Sequence, residues 1–171
     1  MPEPKKIGNI EISQDLDFQN RSWRVQRTAW MVMLGVVVAG LLGLFGGGPL
    51  SSATLGDAES GAVVRYERFL RAGGEHVLEM EIAPSGVDGD SIATLWMNGD
   101  WLAANQLIGI TPAPQSEVVQ PDRILYRFRV GAPASAVVVR FSLRSTTPGM
   151  HRWRGGVEGG AALSFRQLSY P

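Results

Sequence analysis

The stretch Ala29–Phe45, AWMVMLGVVVAGLLGLF, contains no charged residue, and glycine is its only departure from apolar side chains. As a helix these positions rise about 26 Å, and continuation to Leu50 brings the length to about 33 Å, bracketing a bilayer hydrocarbon core of about 30 Å. A helix at the centre of a globular core is the alternative reading, but nothing else in this chain is large enough to enclose one. The stretch predicts a membrane-spanning helix, and the rest of the chain is organised around it. The boundaries predicted are a cytoplasmic tail over 1–14, a juxtamembrane and transmembrane helix over 15–48, a linker over 49–62 and an extracytoplasmic domain over 63–171. The fold class is mainly β: one N-terminal transmembrane α-helix followed by an antiparallel β-sandwich-like domain.

Composition agrees with one anchor and one domain, since 171 residues leave room for little more. Sixteen basic residues balance sixteen acidic ones, so no global field points to nucleic acid or an anionic membrane as the principal partner. The absence of cysteine removes disulfides, thiolate nucleophiles and cysteine-based metal sites, and leaves the compartment open. A secretory signal peptide would place a shorter apolar core nearer the start. The run from residue 29 reads instead as an uncleaved signal-anchor, with cleavage after Ser51-Ser52-Ala53 as the alternative.

Upstream of the span, residues 1–12, MPEPKKIGNIEI, combine two prolines with a lysine pair and predict a mobile tail. Asp15 and Asp17 then favour a helix start, and Arg21, Arg24 and Arg27 follow at three-residue intervals along one drifting helical face. Basic residues next to a span are retained in the cytoplasm, whereas residues 50–64 contain neither lysine nor arginine. The N-terminus should therefore be cytoplasmic and the C-terminal domain should lie on the other side of the membrane. Trp23 and Trp30 suit the inner interfacial belt, and the arginine collar also attracts anionic lipid.

Within the span Gly35, Ala39, Gly43 and Gly47 recur every four residues. Lipid supplies no hydrophobic drive for helix association, so such a ridge, which permits close backbone approach, predicts packing on another transmembrane protein or a second copy. A neighbouring row, Gly40/Leu44/Gly48, could shift the contact by one position. Gly46-Gly47-Gly48-Pro49 should end the helix, and the small polar residues 49–62 read as the linker.

Beyond it the period changes to two. Leu78, Met80 and Ile82 alternate with Glu79 and Glu81; Ile124, Tyr126, Phe128 and Val130 alternate with Leu125, Arg127 and Arg129; Val137, Val139, Phe141 and Leu143 alternate with Val138, Arg140, Ser142 and Arg144. Further strands are predicted over 63–71, 92–97, 101–110 and 162–170, the last with a bulge between Phe165 and Leu168. Turn chemistry falls at Pro84-Ser85-Gly86, Gly131-Ala132-Pro133, Pro148-Gly149 and Asn98-Gly99, the last a hairpin signal between two apolar runs. Seven or so short strands predict an antiparallel sandwich or an open barrel.

Groups able to do chemistry are sparse. His76 lies three residues from Glu79, on opposite faces of a strand, so the two do not share a metal. His151, in HRWRGG, falls in a predicted loop with Arg152, Trp153 and Arg154, a cluster able to bind an anion or a headgroup but more simply a solvated loop anchored by Trp153. Asp88-Gly89-Asp90 resembles a fragment of a calcium loop without the carboxylates that complete one. No nucleophile elbow, phosphate loop or zinc-binding histidine pair is present. The reading is no enzyme, no cofactor and no metal. Arg65, Arg68 and Arg71, in VRYERFLR just after the linker, are candidates for a membrane-proximal or partner surface, or equally for an edge strand blunted by charge. Every basic residue beyond the span is arginine, which favours planar bonding to carboxylate or phosphate.

The runs DFQNRSWRVQRTAWMVMLG, LLGLFGGGPLS and VRYERFLR, spread over residues 15–71, resemble a small bacterial family of single-span proteins associated with YetF-like inner-membrane proteins. That resemblance implies an accessory membrane role and carries no functional residue. The function expected is that of an accessory or assembly subunit of a membrane complex, with a tethered periplasmic module binding a glycan, lipid or peptide as the alternative.

Overall fold

Alternating apolar residues form a core only when strands distant in sequence turn them to the same side, and the three strictly alternating strands do so. The computed structural model describes residues 5–7, 10–12, 16–43, 48–57, 59–84, 87, 91–131 and 136–171. The chain divides into two units, Met1–Gly40 and Leu41–Pro171.

In the first unit, β1 (Lys5–Ile7) pairs antiparallel with β2 (Ile10–Ile12), Ile7 opposite Ile10. This pairing falls within the stretch read as a tail. Gly8-Asn9, between the two isoleucines, is a two-residue hairpin signature that the proline and lysine content obscured. Helix α1 covers Leu16–Leu41, about 39 Å at 1.5 Å per residue. Thr28 Oγ1 donates to the Arg24 carbonyl at 3.0 Å, and the Arg27 guanidinium lies 5.3 Å from the Trp23 ring centroid. No helix among the described residues is long and apolar enough to cross a membrane: the first third of α1 is polar, and the apolar run continues past its last residue to Phe45.

The second unit is built from two sheets. One holds five antiparallel strands in the order β3 (Ser52–Asp57), β4 (Ala62–Glu67), β6 (Glu75–Ile82), β11 (Val137–Ser145) and β8 (Asn105–Thr111). The other holds six in the order β5 (Phe69–Arg71), β13 (Leu163–Tyr170), β12 (Gly149–Val157), β7 (Ile92–Asn98), β10 (Arg123–Arg129) and β9 (Ser116–Val119), all antiparallel except β5 with β13. Both contribute to a single core: Leu78, Met80 and Phe141 from the first, Leu95, Phe128 and Trp153 from the second. Aromatic rings tie the layers together, with Phe165 stacked between Tyr66 at 3.6 Å and Trp153 at 4.8 Å, and Tyr126 edge-on to Phe141 at 5.5 Å. The architecture is a β-sandwich.

Several boundaries differ from expectation. The linker over 49–62 contains β3, which pairs along its length with β4, because the Asp57/Ser60 hydrogen bonds and Gly61 at φ 81° turn the chain back on itself. The strand expected over 63–71 breaks at Arg68, and its halves enter different sheets. Asn98-Gly99 closes no hairpin: it leads into a short helix α2 (Gly99–Ala104), which carries the chain from the six-stranded sheet to β8 of the other. Trp101, read as strand, is buried on α2. HRWRGG is strand β12 rather than loop, and β9 was not anticipated. In β13 the inward row is Phe165, Gln167 and Ser169 without interruption. The bulge lies instead in β8, where Ile108 is passed over in its pairing with β11. Asp88-Gly89-Asp90 and the turns at Ser85-Gly86 and Ala132-Pro133 fall outside the described residues.

Candidate interaction surfaces

Helix α1 is apolar on every side from Trp30 onward, and its side chains are exposed from Phe18 to Val38: Met31, Val32, Met33 and Leu34, four consecutive positions that together encircle the axis, are all more than half exposed. Arg21, Arg24 and Arg27 lie exposed on its first half. Of the small-residue ridge, Gly35 and Ala39 lie in the helix one turn apart, and a Cβ at Gly35 would meet nothing. Gly43 lies past the helix end, at φ +86° and against the Gly48 backbone, and Gly47 is outside the described residues. The ridge is therefore described over one turn, where helical periodicity alone had suggested three.

The two sheets present opposite kinds of outer face. On the five-stranded sheet every outward arginine meets a glutamate on a neighbouring strand: Arg65 reaches Glu79 at 2.7 Å and Glu81 at 2.9 Å, Arg140 reaches Glu79 at 2.8 Å, and Arg144 reaches Glu75 at 2.6 Å. Hydrogen bonds from Arg140, then Arg65, hold the Glu79 carboxyl below the usual carboxylate range. Exposed pairs of this kind contribute about 0–1 kcal/mol each, yet they neutralise the face.

The outer face of the six-stranded sheet has no such neutralisation. Inward Trp153, Phe165 and Phe128 leave their neighbours Arg152, Arg154, Arg166, Arg127 and Arg129 pointing outward, as strand alternation requires. Arg152 stands directly opposite Arg166 in the β12–β13 pairing, and like charges so placed repel. At one edge Arg71 is added on β5; towards the other, Arg123 lies over the Trp96 ring at 5.7 Å and donates to Gln120. Among the described residues none of these arginines forms an ion pair, although Asp100 lines the same dent as Arg152 and Arg154. Beside the arginines, Met150 and Leu168 form an exposed apolar pair in register.

Arg65, Arg68 and Arg71 are not brought together. Arg65 is bound to two glutamates on one sheet, Arg68 occupies the bend, and Arg71 lies on the other sheet. Adjacency in sequence concealed that the chain changes layer at Arg68. The arginine face itself was missed because its members come from strands far apart in sequence. The available signal was local, arginine flanking a buried aromatic in RFR, RWR and SFR.

The two histidines occupy different surroundings. His151, on β12, lies with Nε2 2.9 Å from the Thr147 carbonyl, beside a dent of about 380 Å³ lined by Asn98, Asp100, Trp101, Met150, His151, Arg152 and Arg154. His76 is buried at the end of β6, edge-on to Trp101 at 6.4 Å, with neither ring nitrogen hydrogen-bonded among the described residues; burial lowers its pKa to about 4. Trp101 donates its indole N–H to Gln167 at 2.9 Å, and the buried Ser145 and Ser169 hydroxyls pair at 2.8 Å. Among the described residues no three His, Asp or Glu side chains gather as metal ligands would.

No family model matches the chain, and no curated protein matches it. Solved structures with a similar arrangement include a cohesin module from a family 33 glycoside hydrolase of Clostridium perfringens, 16% identical, with a TM-score of 0.43 over 68% of this chain and 98% of that one. Another is in a type I cohesin–dockerin complex from Clostridium thermocellum, 9% identical, with a TM-score of 0.39 over 60% of this chain and 93% of that one. Both likenesses are coarse and concern the fold alone.

Proposed function

We propose that the chain is a single-pass membrane protein that works by binding, as an accessory subunit whose helix both anchors it and docks it on a membrane partner, with the sandwich on the extracytoplasmic side. The observation that supports this reading is the exposure of apolar side chains around the whole circumference of α1 beyond Trp30. In water each such side chain forgoes about 1.5–3 kcal/mol of burial, and a surrounding of lipid or other helices supplies it. The basic collar of Arg21, Arg24 and Arg27 sets the N-terminus inside. Gly35 and Ala39 offer a place for close helix approach.

Because the chain lacks cysteine, single cysteines introduced by Ser22→Cys and Glu59→Cys, both at exposed positions, report topology cleanly. In intact cells an impermeant maleimide should label position 59 and leave position 22 untouched, and the protein should stay in the membrane pellet after alkaline carbonate. Release by carbonate, or labelling at position 22 alone, overturns the reading.

A tethered binding module is the second reading, and the arginine face of the six-stranded sheet favours it. It predicts that binding follows the sandwich rather than α1.

A further inference from the structure

We propose that the arginine-bearing outer face of the six-stranded sheet is a docking surface for the anionic phospholipid headgroups of the bilayer; this rests on the anchored reading above. The argument begins with segregation. The two outer faces use the same residue type, yet Arg65, Arg140 and Arg144 each hold a glutamate on one face, whereas on the other Arg127, Arg129, Arg152, Arg154 and Arg166 hold none among the described residues. Placing Arg152 opposite Arg166 costs stability in the isolated sandwich, and an external anion offsets that cost. Guanidinium forks match phosphate bidentately.

Three observations favour a lipid surface over a small anion or an acidic protein. Arg152 and Arg154 share the shallow dent beside His151, but Arg127, Arg129 and Arg166 lie outside it, so the set is spread over strands β10, β12 and β13 of one sheet face rather than gathered in one pocket as a small anion would require. Met150, 62% exposed, and Leu168 stand among them, and apolar side chains beside cationic ones suit the boundary between headgroups and acyl chains. Finally, only residues 42–51 separate α1 from β3, a reach of at most about 35 Å, so an anchored sandwich never leaves the vicinity of headgroups and docks at high effective concentration. Basic residues near an anionic surface contribute enough that each arginine lost should weaken docking about five-fold.

The test uses full-length protein carrying Met150→Cys labelled with an environment-sensitive NBD fluorophore, in nanodiscs of phosphatidylcholine alone or with one third phosphatidylglycerol. Docking predicts a blue shift and a several-fold intensity rise with phosphatidylglycerol only. The rise should be reversed in 1 M salt, where the Debye length is about 3 Å, and lost on adding Arg152→Gln with Arg166→Gln. The same label at Val138→Cys, on the other sheet, should not respond. Equal spectra in the two lipids overturn the proposal, as does a rise that neither salt nor the arginine changes reverse. A response to added polyglutamate without one to phosphatidylglycerol overturns it in favour of an acidic protein partner. Failure to enter the discs defeats the anchor instead, and the same labelled protein mixed with phosphatidylglycerol vesicles then decides the docking by the same shift.

Discussion

His76 shows what a single buried ring costs. Its ordinary pKa of 6.5 falls to about 4 because the sandwich shields the charged form from water and offers neither nitrogen a partner among the described residues. The unfolded chain therefore binds the proton more tightly than the folded one. The stability due to neutral His76 is complete above pH 6.5 and is lost as pH falls toward 4, about 3 kcal/mol in all. Glu67, whose carboxyl burial pushes up, gains stability on protonation and opposes part of this fall. Comparing wild type with His76→Phe isolates the histidine: urea midpoints between pH 7 and pH 4.5 should drop more steeply in the wild type, and parallel curves would show that the ring titrates as if exposed. Gln167 carries a lesson of the same scale. Hydropathy placed Leu168 inward in β13, but Gln167 is the buried residue, because the Trp101 indole N–H and the Glu67 carbonyl satisfy its amide. A polar side chain satisfied from remote positions cannot be read from its own strand.

Among the elements, those with strict alternation were legible and those defined by a remote partner were not. β6, β10 and β11 appear as read, since their apolar rows face one core. β3 is small and polar in sequence and becomes a strand through β4; β12 contains Gly149, Gly155 and Gly156 and reads as loop until its neighbours are known. Those glycines have packing reasons. A Cβ on Gly155 would lie 2.5 Å from the Trp153 ring and 2.6 Å from the Trp96 carbonyl, so Gly155→Ala must displace either the core indole or the β7 backbone. It should cost about 1–3 kcal/mol, measured by chemical denaturation; a loss within a few tenths would mean that the Trp153 ring has room to move. Two glycines of the expected ridge, Gly35 within α1 and Gly43 past its end, should respond differently. Gly35→Leu meets open space and should leave the sandwich unchanged while reducing co-purification of a membrane partner. Gly43→Leu must abandon φ +86° and clashes with Gly48, so it should destabilise the turn itself whether or not a partner binds. Thermal unfolding of the two variants side by side separates the effects, and equal melting temperatures would remove the turn from the argument.

At the scale of the whole molecule, the sequence showed a helical segment followed by a β domain, and showed nothing of which strands share a layer. That partition rests on pairings such as β5 with β13 and β6 with β11, between residues far apart in the chain, and no local pattern encodes them. It nevertheless sets the charge pattern of the surface, since among the described residues it gathers paired arginines on one face and unpaired ones on the other while the formal net charge remains +0. The same partition predicts how the domain unfolds. Both sheets feed one core cluster, and the stacked Tyr66, Phe165 and Trp153 cross from one to the other, so neither sheet can lose its partner and keep its own apolar face dry. Every strand of both sheets, and the whole of that core, lies within residues 48–171. A fragment of that span should fold without α1 and unfold in one cooperative transition, with near-ultraviolet signals from buried Trp101 and Trp153 coinciding with the far-ultraviolet loss of strand. The urea slope should be about 1–3 kcal/mol/M, as for a small domain exposing one core. Separate midpoints for the two signals would mean that the sheets unfold independently, and that the aromatic stack between them contributes little to holding the sandwich together.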